Sequence, residues 1–166
     1  LTDEAVKNYN TIAKVNPPLR TPEDIAAIIE GLQDGTIDVI ASDHAPHTAT
    51  EKNQEFDHAP FGIIGLETLI PLTVTFLVMK KKLTALQAIE KLTAGPARAL
   101  GLGKYSMQPG SSADIAVIDP ITVKKYDRIV SLSKNTPFLG WALTGYANCT
   151  ILDGRSIMER GRLVVD

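Results

Sequence analysis

The chain has 166 residues, of which 44% are hydrophobic and 22% charged, with 17 basic against 19 acidic residues and a formal net charge of −2. This composition excludes a disordered, collagen-like or coiled-coil chain. The small net charge gives no general electrostatic basis for binding nucleic acid or an acidic membrane surface, so neither is an expected partner.

The first third of the chain alternates between helix-like and strand-like segments. Residues 3–8 predict a short helix, and residues 12–15 predict a short strand that ends at two prolines. The strongest helix pattern begins at Thr21 and ends near Gly35, with isoleucine and leucine recurring at helical spacing. Residues 37–41 predict a second strand.

Helical patterns dominate the middle of the chain. Residues 65–79 predict a long apolar helix with a kink at Pro71. The uncharged part of this segment is too short to span a bilayer, which indicates a buried helix. Thr84 caps a further predicted helix that runs through Thr93, and a last short helix is expected over residues 95–101.

Beyond residue 110 the pattern becomes strand-like. Residues 113–118 predict a strand, and residues 148–152 and 155–158 predict a hairpin across an Asp-Gly turn. A further strand is predicted over residues 163–165. No secretory signal is recognised, and a single cysteine, Cys149, fits a reducing compartment, so a cytoplasmic location is expected.

The fold class indicated by these elements is α/β. Residues 1–103 contain two β/α units, and residues 104–166 form a small β-rich segment. Parallel strands require cover on both faces, and a closed (β/α)₈ barrel requires eight units over typically ~250 residues. The chain is therefore either a small open α/β sheet or the end of a larger protein.

Polar residues follow both predicted strands of the first domain. Asn16 comes after the first strand and Asp43 after the second, and reactive side chains gather at the carboxyl ends of parallel strands. A carboxylate there can bind a metal ion and move a proton, or it can simply form a turn, as Asn16 also can before two prolines. His47 need not share a metal with Asp43 and can instead donate to an anionic substrate group.

All three histidines, His44, His47 and His58, lie within fifteen residues of sequence. A metal site with several imidazole ligands must therefore use this segment or another chain. The crowding of His44 and His47 beside Asp43 favours a functional role over a plain turn. By contrast, His58 is expected to be an exposed loop residue and Arg20 a structural ion-pair partner.

Five motifs, in order along the chain, resemble those of the dihydroorotase family, in its longer bacterial and multifunctional type within the amidohydrolase superfamily. The specific ones are KVNPPLR at 14–20, ASDHAPH at 41–47 and APFGIIGLET at 59–68. TAGPAR at 93–98 and GSSADIAVID at 110–119 resemble the general C-terminus of the superfamily and also suit dihydropyrimidinases and allantoinases. The second histidine of DHAPH favours dihydroorotase.

The resemblance implies roles for five residues. Asp43 resembles the aspartate that ligates a metal and shuttles a proton, His47 the histidine that holds the substrate carboxylate, and Asn16 the asparagine that hydrogen-bonds the dihydropyrimidine ring. Backbone groups around Phe61 and Gly62 would line the substrate pocket. The implied activity is the reversible, zinc-dependent hydrolysis of dihydroorotate to N-carbamoyl-aspartate in pyrimidine biosynthesis.

The sequence departs from the family pattern in its metal ligands. The family also uses a His-x-His pair, a lysine carbamate or carboxylate and two later histidines, but no His-x-His occurs here, and His44 and His58 do not occupy ligand positions. The resemblance thus implies a C-terminal part: the last units of a (β/α)₈ barrel over residues 1–103 and a β-rich subdomain segment over 104–166. Alone, it is expected to lack hydrolase activity and tight zinc binding.

The partners implied by the resemblance are a small-molecule substrate, the N-terminal part of the enzyme, further copies of the chain and aspartate carbamoyltransferase. Three alternatives remain open: a non-catalytic dihydroorotase-like assembly subunit, a related dihydropyrimidinase or allantoinase, and a free-standing α/β binding module. The presence of Asp43, His47 and Asn16 together argues against the first. Three ordered motifs argue against the last.

Overall fold

The computed structural model describes residues 1–103 and 106–164, and these residues form two compact units. Each unit combines segments that are far apart in sequence. The first unit comprises Leu1–Ile37, Ala41–Leu69 and Lys125–Ala142, and the second the described residues of Asp38–Ile40, Ile70–Lys124 and Leu143–Asp166.

Two 3₁₀ segments, Asp3–Tyr9 and Thr11–Ala13, begin the first unit. The predicted short helix is thus present as 3₁₀ turns, but the strand predicted over residues 12–15 is wrong. The backbone N–H groups of Ala13 and Lys14 bond to carbonyls three residues earlier, at 3.2 and 3.1 Å. Local turns therefore satisfy the backbone groups that a strand would pair with a neighbour.

Helix α1 spans Pro22–Asp34, which confirms the strongest helix prediction. The Thr21 hydroxyl accepts the Asp24 N–H, and the Asp24 carboxylate accepts the Thr21 N–H, so the two residues form a capping box. The helix ends at Gly35, whose φ of +87° is the left-handed conformation that glycine adopts at low cost. Local side-chain chemistry fixes both ends of this helix.

No strand forms over residues 37–41 in the described chain, so this strand prediction is also wrong. Two N–H groups of the segment bond to helices instead: that of Ile37 to the carbonyl of Gly31 at 2.8 Å, and that of Ile40 to the carbonyl of Lys91 at 2.9 Å. An apolar run becomes a strand only when a neighbouring strand offers it a ladder of partners. Apolar periodicity alone could not test that condition.

Four further helices follow in the chain: α2 at Ala49–Lys52, α3 at Leu69–Thr73, α4 at Ala85–Leu92 and α5 at Ala94–Ala99. The prediction missed α2. Helices α4 and α5 match the predicted pair, and Thr84 caps α4 through a reciprocal pair of bonds with Gln87.

The predicted long helix over residues 65–79 begins later than expected. It starts with α3 at Leu69 and continues as a π-helical segment over Val74–Val78. Pro71 lies in the first turn of α3, where a backbone N–H has no partner within the helix. Proline therefore costs no hydrogen bond at this position, and a kink is not needed to accommodate it.

A four-stranded antiparallel sheet forms the β-rich part, in the order β1-β4-β5-β6. Its strands are Ile115–Asp119 (β1), Tyr146–Leu152 (β4), Arg155–Glu159 (β5) and Arg162–Leu163 (β6), and the short strands Lys124–Lys125 (β2) and Ala142–Leu143 (β3) pair separately. The predicted strand over 113–118 and the hairpin across Asp153-Gly154 are confirmed.

The end of the last predicted strand, Val165, lies outside the described residues, as does Lys104 at the start of the predicted second domain. No helix in the described ranges is long and apolar enough to cross a membrane.

Each unit has its own buried apolar residues. In the first unit these are Ala13, Leu32, Ala59, Ile64, Tyr126 and Phe138, and in the second Val74, Leu83, Ala88 and Leu143. In the first unit the Phe138 and Trp141 rings meet edge to face, with centroids 5.3 Å apart. The first unit also contains every residue that the motifs single out as a candidate site residue.

Candidate functional site

Backbone hydrogen bonds join the three specific motifs in the first unit. The Gly62 N–H donates to the Lys14 carbonyl at 3.0 Å, and the Ala45 N–H donates to the Ile63 carbonyl at 2.9 Å. His44 and Ile63 also form an isolated parallel bridge. The structure thus brings together the segments that contain the predicted site residues, 14–16, 43–47 and 61–63.

Asp43 and Asn16 are both exposed. Within the described part of the chain, the Asp43 carboxylate makes no hydrogen bond or ion pair, so its oxygens can take up a ligand or a proton. Asn16 lies two residues after Lys14, whose carbonyl contacts Gly62, and precedes Pro17 through a cis peptide bond. These two positions remain candidates on the basis of accessibility.

The His47 ring is held by a hydrogen bond at one of its two nitrogens. Nε2 lies 2.9 Å from the Phe61 carbonyl oxygen and must donate there, because a carbonyl only accepts. Nδ1 lies 4.0 Å from Glu51 Oε2, and the side chain is 24% exposed. With Nε2 engaged, Nδ1 is the atom left for a further partner, and it donates only when the ring is protonated.

Glu51 links His47 to helix α2. Its carboxylate accepts hydrogen bonds from the Thr48 backbone N–H at 2.7 Å and the Thr48 hydroxyl at 2.8 Å. These two bonds, and after them the His47 charge, lower the pKa of Glu51. The Thr-x-x-Glu spacing of this capping box was the available sequence signal for α2.

Gly62 occupies a position where no other residue fits without strain. Its φ is +123°, and a Cβ there would lie 2.5 Å from the Ala45 Cβ and 3.3 Å from His47 Nε2. Its N–H donates to the Lys14 backbone carbonyl. Its own carbonyl accepts from Lys52 Nζ at 3.1 Å and from Asn135 Nδ2 at 3.2 Å. The backbone polar groups of Gly62 are therefore engaged within the protein. Its contribution here is to let two loops approach closely.

Two buried lysines support this loop, and sequence reasoning missed both. Lys14 is 6% and Lys52 2% exposed, although lysine is almost never fully buried. Burial lowers the pKa of Lys52, and the charge of Lys14 lowers it further. Their ammonium groups donate to backbone carbonyls: Lys14 to Phe56, Asp57 and Ala59, and Lys52 to Lys14, Pro60 and Gly62.

Asn135 is the third residue that the sequence did not reveal. It is 4% exposed and contacts Ala45, His47 and Gly62, which lie between 73 and 90 residues away in sequence. Such a contact leaves no trace in local periodicity or spacing, because it depends on how remote segments pack.

The other two histidines contact other residues of the same unit. His44 Nδ1 accepts the Gly65 N–H at 3.1 Å. His58 is exposed, as expected, and its Nδ1 lies 3.8 Å from Glu55. Arg20 forms the expected ion pair, with Nε 3.1 Å from Asp24 Oδ2.

The metal-donor side chains of the described residues are not gathered into one site. In residues 1–103 and 106–164 no group of three His, Cys, Asp or Glu side chains is placed to hold a metal ion. A catalytic zinc is generally held by three protein ligands. The described residues therefore do not form such a site by themselves, and the exposed Asp43 carboxylate is a candidate for one coordination position.

A comparison with known proteins finds extended similarity. The model of the amidohydrolase family matches residues 1–157. Dihydroorotases from Pelotomaculum thermopropionicum and Acetivibrio thermocellus are 54% and 49% identical to this chain over 161 residues. In each case the match covers 96% of this chain and 38% of the relative, so the chain spans well under half the length of these proteins.

Solved structures show the same fold. An L-hydantoinase (dihydropyrimidinase) from Arthrobacter aurescens matches 100% of this chain and 38% of its own, with a TM-score of 0.92 and 30% identity. Sequence identity is therefore higher to the proteins named dihydroorotase, while a hydantoinase shares the three-dimensional arrangement.

Proposed function

This chain belongs to the amidohydrolase family, and we propose that it forms the C-terminal part of a dihydroorotase. The supporting observation is the 54% identity to a dihydroorotase across 96% of the chain. The meeting of the three specific motifs in one unit agrees with it. In this proposal residues 1–103 supply the last β/α units of a (β/α)₈ barrel, in which segments 12–15 and 37–41 become strands only beside barrel strands outside this chain. Residues 104–166 supply a β-rich subdomain segment.

The proposed reaction opens the ring of dihydroorotate with water. The water oxygen bonds to the ring amide carbonyl carbon, the C–N bond breaks, and the nitrogen gains a proton to give N-carbamoyl-aspartate. Asp43 accepts the proton from the attacking water and delivers it to the leaving nitrogen. The reverse sequence closes the ring.

Substrate binding is assigned to the other candidate residues. His47 holds the substrate carboxylate, using a protonated Nδ1 while Nε2 remains on the Phe61 carbonyl. Asn16 hydrogen-bonds the dihydropyrimidine ring. The exposed ring of Phe61 and the tight turn at Gly62 shape the adjoining wall.

We also propose a zinc cofactor, with Asp43 as one of its ligands and the remaining ligands outside this chain. When bound, the metal polarises the scissile carbonyl and makes water nucleophilic at neutral pH. The surroundings of Asp43 suit this role, because its carboxylate is exposed and makes no bond within the described residues. Assembly with further copies, or with aspartate carbamoyltransferase in the cytoplasm, is part of the same proposal.

The proposal is tested with the complete enzyme that contains this chain. Hydrolysis of dihydroorotate, dihydrouracil and allantoin is compared for the native enzyme and the His47→Ala variant. We expect the native enzyme to prefer dihydroorotate. The preference should fall in the variant, because dihydrouracil has no carboxylate and its binding does not depend on His47. A native preference for dihydrouracil or allantoin would instead assign the chain to a dihydropyrimidinase or allantoinase, in line with the hydantoinase-like fold.

A further inference from the structure

We propose that Asn135 is a positioning residue that holds the His47 loop against the Phe61–Gly62 loop, and so sets where His47 meets the substrate carboxylate. The two loops are residues 45–47 and 61–64. This inference rests on the proposed function for the identity of the substrate. The contacts themselves do not depend on it.

The side-chain amide of Asn135 bonds to both loops. Nδ2 donates to the Ala45 carbonyl at 2.9 Å and to the Gly62 carbonyl at 3.2 Å, while Oδ1 accepts the His47 N–H at 3.1 Å. The Asn135 backbone carbonyl also accepts the Ile64 N–H at 3.0 Å. One buried residue thus makes two contacts to each loop.

The contacts of Asn135 fix the backbone of His47, from which the imidazole ring projects. The ring of His47 is tied at Nε2 to the Phe61 carbonyl on the opposite loop. The carbonyls of Ala45 and Gly62, one on each loop, both accept from Asn135 Nδ2, at a point where a Cβ on Gly62 would lie 2.5 Å from the Ala45 Cβ. A change in loop separation therefore moves the His47 backbone and its Nε2 acceptor relative to each other.

Asn135 is in turn held in place by its own segment. Glu67 accepts the N–H groups of Val130 and Ser131, and Lys134 Nζ donates to the carbonyls of Ile129 and Ser131 at 2.9 and 2.6 Å. Glu67 therefore anchors segment 129–135 to the same unit, and Lys134 stabilises the turn within the segment. This support makes Asn135 a fixed reference point rather than an adaptable contact.

The chemistry of the position requires an amide. Two carbonyl acceptors and one N–H donor face the side chain, and only a group with both donors and an acceptor matches them. An aspartate has the same shape but would place an acceptor, and when ionised a negative charge, against the carbonyls of Ala45 and Gly62. Asn135→Asp therefore removes the matching chemistry at nearly constant volume.

The test uses the complete enzyme with Asn135→Asp, Asn135→Ala, His47→Ala and the control Ser133→Ala from the same segment. Steady-state kinetics on dihydroorotate give kcat and KM. Hydrogen–deuterium exchange reports the amides of both loops. We expect both Asn135 variants to raise KM by about 10-fold or more, with a much smaller change in kcat, because lost buried hydrogen bonds displace a binding group.

The expected pattern is specific to positioning. Exchange becomes faster in both loops of the Asn135 variants and is unchanged in Ser133→Ala. Adding Asn135→Asp to His47→Ala raises KM little further, since both changes act on the same contact. If Asn135→Ala does not fold, the isosteric Asn135→Asp decides the question.

Unchanged KM with unchanged loop exchange overturns the inference, as does a lower kcat at constant KM, which indicates fewer folded molecules. If the native enzyme does not hydrolyse dihydroorotate, the proposed function fails separately. Loop exchange in the Asn135 variants then decides by itself whether Asn135 holds the two loops together.

Discussion

Asp43 and Gly62 are two candidate site residues whose backbone and side-chain groups are engaged very differently. Asp43 presents a carboxylate that no described residue engages, which suits transfer of a proton or binding of a cation. Gly62 presents no free polar group, because its N–H and carbonyl are bonded within the protein, and it contributes a close approach between loops. The role proposed for Asp43 is chemical and that of Gly62 is steric, so substitutions at the two positions should affect turnover and stability differently.

Asp43→Asn in the complete enzyme should lower kcat by roughly 10²–10⁴-fold, the usual contribution of a general acid–base group, and leave the fold intact because the side chain is exposed. Turnover and thermal unfolding are measured together. Asp127→Asn, an exposed carboxylate of the same unit, is the control. Near-native turnover in Asp43→Asn contradicts the assignment.

Gly62→Ala should destabilise the protein by about 1–3 kcal/mol, since an L-residue at φ +123° is strained and the new Cβ meets Ala45. The same methyl approaches His47 Nε2, so KM should rise as well. Denaturant unfolding and kinetics test both effects. Gly103→Ala, where a Cβ meets nothing within 4 Å, should change neither.

At the scale of elements, threonine caps set three helix starts. Thr21, Thr48 and Thr84 each accept the N–H of the third helical residue, whose side chain bonds back to the threonine N–H. These reciprocal bonds satisfy donors that no helix can pair internally. They also explain why the beginnings of α1 and α4 were predictable.

Thr84→Ala should therefore lower the free energy of unfolding by about 1 kcal/mol, the usual value of an N-cap. Urea unfolding monitored by circular dichroism measures the change. Thr50→Ala, an exposed threonine inside α2 rather than at its cap, serves as the matched control. Equal effects of the two substitutions would show that the Thr84 cap contributes nothing specific.

Strand β1 ends in a turn with its own pH dependence. Asp119 accepts hydrogen bonds from the Thr122 hydroxyl and from the N–H groups of Thr122 and Ile121, and these lower its pKa to about 2. Because the folded pKa is below the ordinary value of about 3.9, the carboxylate stabilises the fold fully above pH ~4. That stabilisation is lost as the pH falls from ~4 to ~2.

Asp119→Asn removes the titrating group and keeps an acceptor oxygen. The stability advantage of the native protein over this variant should be constant above about pH 5 and shrink as the pH falls towards 2. Urea unfolding of both proteins between pH 6 and 2 measures it. An advantage that grows on acidification contradicts the stated pKa direction.

At the scale of the whole molecule, each compact unit is assembled from remote segments. Residues 125–142 pack with 41–69, which is how Asn135 reaches His47. The proposed metal centre also combines remote segments, because Asp43 is its one proposed ligand in this chain and the other ligands lie outside it. A centre that needs three or more ligands depends on residues elsewhere.

The 166-residue chain alone should therefore show no turnover of dihydroorotate and no tight zinc binding. Zinc is titrated against a chromophoric chelator, and activity is assayed before and after adding the remaining part of the enzyme. Restored turnover on mixing, lost again with Asp43→Asn, is the expected result. Turnover by the isolated chain contradicts the proposed division of ligands.

Local chemistry in the sequence determined helices α1 and α4 and the β4–β5 hairpin. Capping threonines, Gly35 and the Asp153-Gly154 turn act on neighbours within a few residues, so their effects can be predicted without knowing the fold. The ordered motifs likewise identified the segments that hold Asp43, His47 and Gly62.

Only the tertiary structure decided which segments become strands and which polar residues are buried. Residues 37–41 have a strand-like pattern, but the N–H groups of Ile37 and Ile40 bond to helices, because no strand of the described residues pairs with this segment. Lysine and asparagine are residue types that usually lie on the surface. Here three of them are buried, because backbone carbonyls from other segments accept their hydrogen bonds: Lys14, Lys52 and Asn135. Hydrogen bonding between remote segments is a property of packing, and a linear pattern does not encode it locally.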